Sequence, residues 1–151
     1  MSPTTGDGQT DDDIVLAFPA WRTNLRIARM AVSSVAADAG FGLEDIEDLR
    51  VAVTELCGAL LGPTADEAVD DDGDGDLGRI ELRFRVDAGD VVLLGRRDPA
   101  PGPAPDLDPI ARELLAVITD HHALEAVDGR WSFSLRKGPT PGSGEGAPDP
   151  V

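Results

Sequence analysis

One stretch, residues 45–62 (DIEDLRVAVTELCGALLG), constrains the fold most, because its apolar spacing and both of its ends predict a single helix. Acidic residues crowd its first turn, where the helix dipole favours negative charge, and Gly62-Pro63 ends the run because proline cannot continue a helix. Apolar side chains recur three and four residues apart and so share one face: Leu49, Ala52, Val53, Leu56 and Leu60. We predict that this segment is the core helix of the domain.

Two residues of this helix have chemistry beyond packing. Glu55 lies beside the apolar stripe, where it is either an exposed helix glutamate or part of a functional site. Cys57 is the single cysteine of the chain, and we expect it to behave as a small buried apolar residue. One cysteine excludes an intramolecular disulfide, which is consistent with a reducing cytoplasm.

The 151 residues are 41% hydrophobic, which suits one globular domain with a modest core. No apolar run approaches membrane-spanning length, so we expect no membrane association. The first residues, MSPTTGDGQTDDD, do not combine a basic region with an apolar stretch, so they do not resemble a secretory signal. The sequence therefore predicts a cytoplasmic protein.

The net charge of -16 is concentrated in segments that we predict to be disordered or loop-like. Thirteen of the 29 acidic residues lie within residues 1–13, 66–76 and 138–151, which contain no Lys or Arg. The remainder carries 16 acidic against 13 basic residues, a net charge of about -3. Since phosphate binding requires a concentrated basic patch, direct nucleic-acid binding is not expected. A protein partner is favoured instead.

The pattern along the chain predicts an α+β two-layer sandwich, in which three helices cover one face of a mostly antiparallel mixed sheet. The predicted domain spans residues 14–137 and includes an acidic loop at 63–78, with disordered tails at 1–13 and 138–151. The predicted elements, in the order βααββαββ, are an edge strand at 14–18, a helix at 22–38, the core helix at 45–62, strands at 79–87 and 91–94, a helix from Ile110 to Ile118, and a hairpin of 124–127 with 131–136.

The Leu-Arg-x-Ala-Val-x-Glu-x-Cys pattern of residues 49–57, the NLRIARMAV segment at 24–32 and the order of elements resemble one known family. It comprises the anti-sigma factors and serine kinases of the histidine-kinase-like (Bergerat-fold) ATPase superfamily. The resemblance spans about residues 14–137. It implies an anti-sigma regulatory factor that sequesters an alternative sigma factor, with a STAS-type anti-anti-sigma protein as antagonist and a homodimer as the assembly.

The resemblance also assigns roles in a nucleotide site. Glu55 matches the general base, but the position of the asparagine that holds Mg2+ is Ala59, whose methyl group cannot ligate a metal. Asp98 and Gly102 match the Asp-x-Gly-x-Gly loop that receives adenine, yet prolines stiffen this loop and Ala100 replaces a glycine. Asp98 alternatively serves only as a turn former. We therefore expect Mg-ATP binding and kinase activity to be lost or weakened, with no cofactor required.

The family contacts its partners through an arginine on the first helix. The register of NLRIARMAV places Arg29 at that position, with Arg26 beside it, whereas the acidic residue that often accompanies it is replaced by Leu25. Arg29 is otherwise an ordinary solvated arginine on an amphipathic helix. An active ATP-dependent serine kinase that phosphorylates a STAS protein remains the first alternative function.

A calcium-binding module is the second alternative. Residues 70–81 (DDDGDGDLGRIE) match the EF-hand loop, with acidic residues at the ligand positions: Asp70, Asp72, Asp74, Asp76 and Glu81. The flanks disagree, because Gly62-Pro63 ends the preceding helix and residues 79–87 alternate as a strand. A solvated acidic loop is the competing interpretation, and we assign no metal site.

Overall fold

The computed structural model describes residues 13–62 and 78–141 of the chain. Three helices and five strands follow one another in the predicted order βααββαββ. A short 3-10 turn, Arg22–Asn24, precedes the first helix. The strands are β1 (Ile14–Pro19), β2 (Arg79–Asp87), β3 (Asp90–Asp98), β4 (His121–Val127) and β5 (Arg130–Lys137), and the helices are α1 (Leu25–Asp38), α2 (Leu43–Leu61) and α3 (Pro109–Ile118).

The five strands form one sheet in the order β1-β2-β3-β5-β4. All four pairings are antiparallel, so the sheet is fully antiparallel where we expected a mostly antiparallel one. β1 lies at an edge and β3 in the centre, as their sequences predict: the first is short and ends at Pro19, and the second is an apolar run. The α+β two-layer prediction is confirmed.

Alternation along the strands sends one set of side chains into the core beneath the helices. In β2 the buried residues are Ile80, Leu82 and Phe84, and the side chains between them, those of Glu81 and Arg83, lie on the open face of the sheet. α2 crosses this core with Leu49, Ala52, Val53, Leu56 and Leu60 all fully buried. The predicted core helix is therefore the most buried helix among the described residues.

Two tight turns close the hairpins where the sequence predicts them. Ala88 and Gly89 join β2 to β3 with φ of 54° and 88°, and Asp128 and Gly129 join β4 to β5 with φ of 52° and 75°. Positive φ at both central positions is the type I′ geometry, whose twist matches that of the flanking strands.

Two strands are longer than their patterns indicate. β3 continues to Asp98, beyond the predicted end at Leu94, because Gly95 sits opposite Phe133 in the neighbouring strand and leaves room for its ring. β4 begins at His121 and not at Leu124 because its first residues pair with Arg136 and Leu135. Pairing with the neighbouring strand thus makes β3 and β4 longer than their own sequences predict.

The ordered contacts also extend beyond the predicted domain, residues 14–137. At one end, Asp13 Oδ1 accepts a hydrogen bond from Arg85 Nε at 3.1 Å. At the other end, Thr140 donates from its backbone N–H and from its hydroxyl to the carboxylate of Asp45, at 2.8 and 2.7 Å. Most of the predicted acidic loop, 63–78, and of both tails lies outside the described residues.

We predict that Gly95→Ala destabilises the domain by about 1–3 kcal/mol, because the added methyl group overlaps the Phe133 ring in a close-packed core. Gly58→Ala is the matched control. It lies in α2 with open space around the new Cβ, so it should be neutral or stabilise by up to about 1 kcal/mol. Urea unfolding of the two variants measures both values, and equal effects would contradict the described packing of Gly95 against Phe133.

Candidate functional site

The predicted catalytic base is on the surface of α2. Glu55 is half-buried, and Ala59, one turn further along the same flank, is 9% exposed. The four-residue spacing places both side chains on one flank of the helix, and only Glu55 carries a side-chain oxygen. This flank of α2 can supply a base and cannot supply the metal ligand at the Ala59 position.

The predicted nucleotide-binding residues lie at the C-terminal end of the same helix. Asp98 ends β3 with an exposed carboxylate, 3.9 Å from Arg130 Nε. The backbone carbonyl of Gly102 accepts a hydrogen bond from the indole of the buried Trp131 at 3.1 Å. Asp98 and Gly102, the two predicted nucleotide-binding residues, thus both contact residues of β5.

The proline-containing loop packs onto α2. A Cβ built at Gly62 would lie 3.2 Å from Pro101 Cγ and 3.8 Å from the Trp131 ring, so the loop and the end of the helix are in close contact. Gly62 itself has a φ of 82°, which is typical of a glycine that ends a helix. The side chains of Pro101 and Trp131 therefore occupy the space beside the C-terminus of α2.

Arg97 joins the end of β3 to the C-terminus of α2, and we did not identify it from the sequence. Its Nη1 donates to the carbonyls of Leu60 and Leu61, at 2.8 Å each, and the residue is 6% exposed. A cation at these carbonyls complements the negative end of the helix dipole. Burial lowers the pKa of the Arg97 guanidinium from its usual value, although it stays charged in proteins. Strand alternation could have predicted that Arg97 faces inward, because it continues the series of inward positions Val91, Leu93 and Gly95.

Asp45 is the second residue with a role that the sequence did not indicate. We expected Asp45 to be one of the first-turn acids that the helix dipole favours. Its side chain is in addition buried and lies 3.5 Å from the Lys137 ammonium. Lys137 is also buried, and Thr140 completes the hydrogen bonds of the carboxylate. A buried ion pair needs such additional partners because desolvation of both charges is costly. The N-terminus of α2 is thereby joined to the end of β5.

The predicted partner-binding arginines lie on α1. Arg26 is exposed, whereas Arg29 is half-buried and its Nη1 donates to Thr54 Oγ1 of α2 at 3.4 Å. Beside them, Ile27 and Met30 are 39% and 69% exposed, so the arginines border an apolar surface. We call this set the α1 face: Arg26, Ile27, Arg29 and Met30. Cations around exposed apolar side chains are typical of protein-binding surfaces.

The two groups of predicted residues do not form one site. Glu55 follows Thr54 in α2 and projects about 100° further around the helix axis. Since Thr54 contacts Arg29 on α1, Glu55 lies on a different flank of the α1–α2 hairpin. Leu25, at the position where the family often carries an acid, is buried in the core. The α1 face and the Glu55 flank are therefore separate surfaces.

Glu81 is the one ligand position of the acidic calcium-type loop that falls within the described residues. It lies in β2, and its carboxylate accepts a hydrogen bond from Arg96 Nη2 at 2.8 Å. Asp70, Asp72, Asp74 and Asp76 lie outside the described residues. Within residues 13–62 and 78–141, no group of three or more His, Cys, Asp or Glu side chains is arranged to hold a metal ion.

Comparisons with known proteins bear on this geometry. No protein-family profile matches the chain. The serine-protein kinase RsbW of Bacillus pumilus (strain SAFR-032) is 35% identical over 78 residues, which are 52% of this chain and 45% of that kinase. The chain thus matches less than half the length of this relative. The shared sequence confirms the suspected resemblance to the anti-sigma factor and serine-kinase family.

The fold has a counterpart among solved structures. The crystal structure of the RsbU and RsbW domains of Rv1364c from Mycobacterium tuberculosis superimposes with a TM-score of 0.58 and 16% sequence identity. The match covers 83% of this chain and 31% of the other. At this identity the match establishes a common fold. In the described part of the chain, no helix is both long and apolar enough to cross a membrane.

Cys57 provides a test of the core beneath this site. Complete burial raises the pKa of its thiol to about 12, so the reactive thiolate is nearly absent at neutral pH. We predict that the native protein reacts with Ellman's reagent at less than about one-hundredth of the rate measured in urea above the unfolding transition. Native and unfolded rates of similar size would contradict the burial of Cys57.

Proposed function

We propose that this protein is an anti-sigma regulatory factor of the bacterial cytoplasm, which sequesters an alternative sigma factor by protein–protein binding. A STAS-type anti-anti-sigma protein would release it, and a homodimer would be its own assembly. The α1 face carries this proposal, because it places the arginine predicted for partner contact beside exposed apolar side chains. Sequence shared with a serine-protein kinase RsbW supports the same assignment.

Charge reversal on the α1 face tests partner binding. We expect Arg26→Glu/Arg29→Glu to weaken capture of the sigma factor at least about tenfold, because it replaces two cations at the rim of an apolar surface with anions. Arg112→Glu is the matched control. It changes an exposed arginine of α3, so capture should stay within about threefold.

The measurement is a pull-down of the tagged protein against the alternative sigma factors and STAS proteins of its host. A sigma factor captured by the parent protein and by Arg112→Glu, but not by the double variant, supports the proposal. No complex with any of these partners, at concentrations well above micromolar, would sink it. A complex that both variants retain would assign binding to another surface.

We further propose that the nucleotide function is lost or weakened. Phosphoryl transfer depends on the positioning of a metal ion and of phosphates more than on one base. Ala59 offers no ligand, and Pro101 and Trp131 fill the space next to the C-terminus of α2. Binding of Mg-ATP is therefore not required for the proposed partner binding.

An active ATP-dependent serine kinase is the alternative. Glu55 keeps the carboxylate of the predicted base, and the matched relative carries the name serine-protein kinase. A thermal-shift titration separates the two functions, since a ligand that binds the native state raises the melting temperature. We expect no rise with Mg-ATP. A Mg-dependent rise that Asp98→Asn abolishes, together with phosphate transfer that Glu55→Gln abolishes, would establish the kinase.

A further inference from the structure

α2 and α3 lie side by side on the sheet and run in opposite directions. α2 packs over β3 and β5, and α3 packs over β4, the next strand of the sheet. The N-terminus of α2 meets the end of β5 through Asp45 and Lys137. Just beyond the C-terminus of α3, Asp120 meets the same end of β5 by accepting a hydrogen bond from the Gly138 N–H at 2.7 Å. The start of α2 therefore lies beside the end of α3.

α3 exposes an apolar stripe to solvent. Ile110, Leu114 and Val117 are spaced by four and three residues and share one flank of the helix. Ile110 and Val117 are 79% and 81% exposed. The core is contacted by a different side of the helix, through Ala111 and Leu115. A surface helix normally has one apolar side, which faces the core, so the second apolar side of α3 is available to a partner.

The neighbouring flank of α2 is acidic. Glu44, Asp48 and Val51 are also spaced by four and three residues, so they form a matching stripe. Asp48 lies 3.9 Å from Lys137 of β5, whereas Thr54 contacts α1. Since β5 lies on the side of α2 away from α1, this stripe is on the flank of α2 next to α3.

The two stripes form one surface, which we call the α2–α3 face: Glu44, Asp48, Val51, Ile110, Glu113, Leu114 and Val117. Neither Glu44 nor Glu113 forms an ion pair within the described part of the chain. The neighbouring arginines are directed elsewhere, since Arg50 pairs with Glu47 and the flank of α3 that carries Arg112 is about 160° from Ile110. The α2–α3 face is therefore apolar with uncompensated negative charge.

We propose that the α2–α3 face binds a basic amphipathic helix, and that this helix is a DNA-contacting helix of the sigma factor. The identity of the partner rests on the proposed function, whereas the chemistry of the helix follows from the face itself. An amphipathic helix binds by laying its apolar side on an apolar surface, here Ile110, Leu114 and Val117. Its Lys and Arg side chains then lie near Glu44 and Glu113.

A sigma factor supplies a helix of this kind. It reads promoter DNA, and helices that contact DNA carry Lys and Arg for the phosphates. The net charge of -16 favours such a partner, because long-range attraction accelerates the association of oppositely charged proteins. The α1 face carries the opposite charge through Arg26 and Arg29. A sigma factor bound at both faces would thus present an acidic segment to α1 and have a DNA-contacting helix covered by α2 and α3.

Binding of the sigma factor to variants of the full chain tests the proposal. Ile110→Ser/Val117→Ser removes two exposed apolar side chains without changing the charge, so we expect the sigma factor to bind at least about tenfold more weakly. Val127→Ser is the matched control. It changes an exposed apolar side chain on the open face of the sheet, opposite to the helices, so the dissociation constant should stay within about threefold. Melting temperatures near that of the parent protein show that the variants fold.

Charge reversal and cross-linking give two further readouts. Glu113→Lys should weaken sigma-factor binding at least about fivefold, whereas Glu125→Lys, at an exposed glutamate of β4, should change it less than about twofold. A photo-cross-linking amino acid in place of Val117 should label a segment of the sigma factor that is rich in Lys and Arg. Labelling of a neutral or acidic segment would overturn the proposal.

A labelled synthetic peptide of Lys and Leu, about 18 residues long, separates this inference from the proposed function. If a sigma factor is captured and Ile110→Ser/Val117→Ser binds it as the parent does, the inference fails and the proposed function stands. The same holds if the double variant loses only the STAS protein.

If no sigma factor is captured, the proposed function fails and fluorescence anisotropy of the peptide decides about the face. Peptide binding that the double variant weakens at least about tenfold would support a site for basic amphipathic helices. Binding that the double variant retains would come from general attraction to the acidic chain. That result, or no binding, would overturn the inference.

Discussion

Burial of α2 is the constraint on which the rest of the structure depends. A helix buried across its length leaves carbonyls at one end and N–H groups at the other that water cannot easily reach. Arg97 supplies the donors for the carbonyls of Leu60 and Leu61, and in doing so it fixes the end of β3 against the helix. At the other end, Asp45 is held by Lys137 and Thr140. Both ends of the core helix are therefore joined to the sheet by charged side chains.

These two attachments explain where the sequence was informative and where it was not. Periodicity identified α2, the hairpins and the helix-covered sheet, because each of these signals comes from neighbouring residues. Asp45 and Lys137 are 92 positions apart in the chain, and no local pattern relates them. The neighbouring residues in the sequence indicated that Asp45 interacts with the helix dipole. Its partner, Lys137, comes from β5 and is brought near only by the fold. Arg97 could have been identified, since it occupies an inward position of β3.

The candidate site also has features that the sequence predicted and features that only the fold reveals. The positions of Glu55, Ala59, Asp98 and Gly102 follow from a matched pattern, whereas the contacts between Pro101, Gly62 and Trp131 depend on how the loop returns to the sheet. Those contacts are a second reason, beside the lack of a metal ligand at Ala59, to propose that nucleotide binding is weakened. The loop is held by apolar packing and by an indole hydrogen bond, and a phosphate chain would require backbone N–H groups and a cation there. These contacts support the proposal that the nucleotide function is lost or weakened.

The proposed partner-binding surface, the α1 face, is separate from the elements predicted to bind nucleotide. α1 packs over β2, near the β1 edge of the sheet. The α1 face includes neither Glu55 nor the loop around Pro101. We therefore propose that the protein binds its partner without a nucleotide.

The most direct measurement of that claim is the dissociation constant of the sigma-factor complex, determined by titration calorimetry with Mg-ATP and again with EDTA and no nucleotide. We expect the same constant within about twofold, because no nucleotide contributes to the proposed binding. A constant that improves more than about tenfold with Mg-ATP would contradict it, since such coupling requires a working nucleotide site.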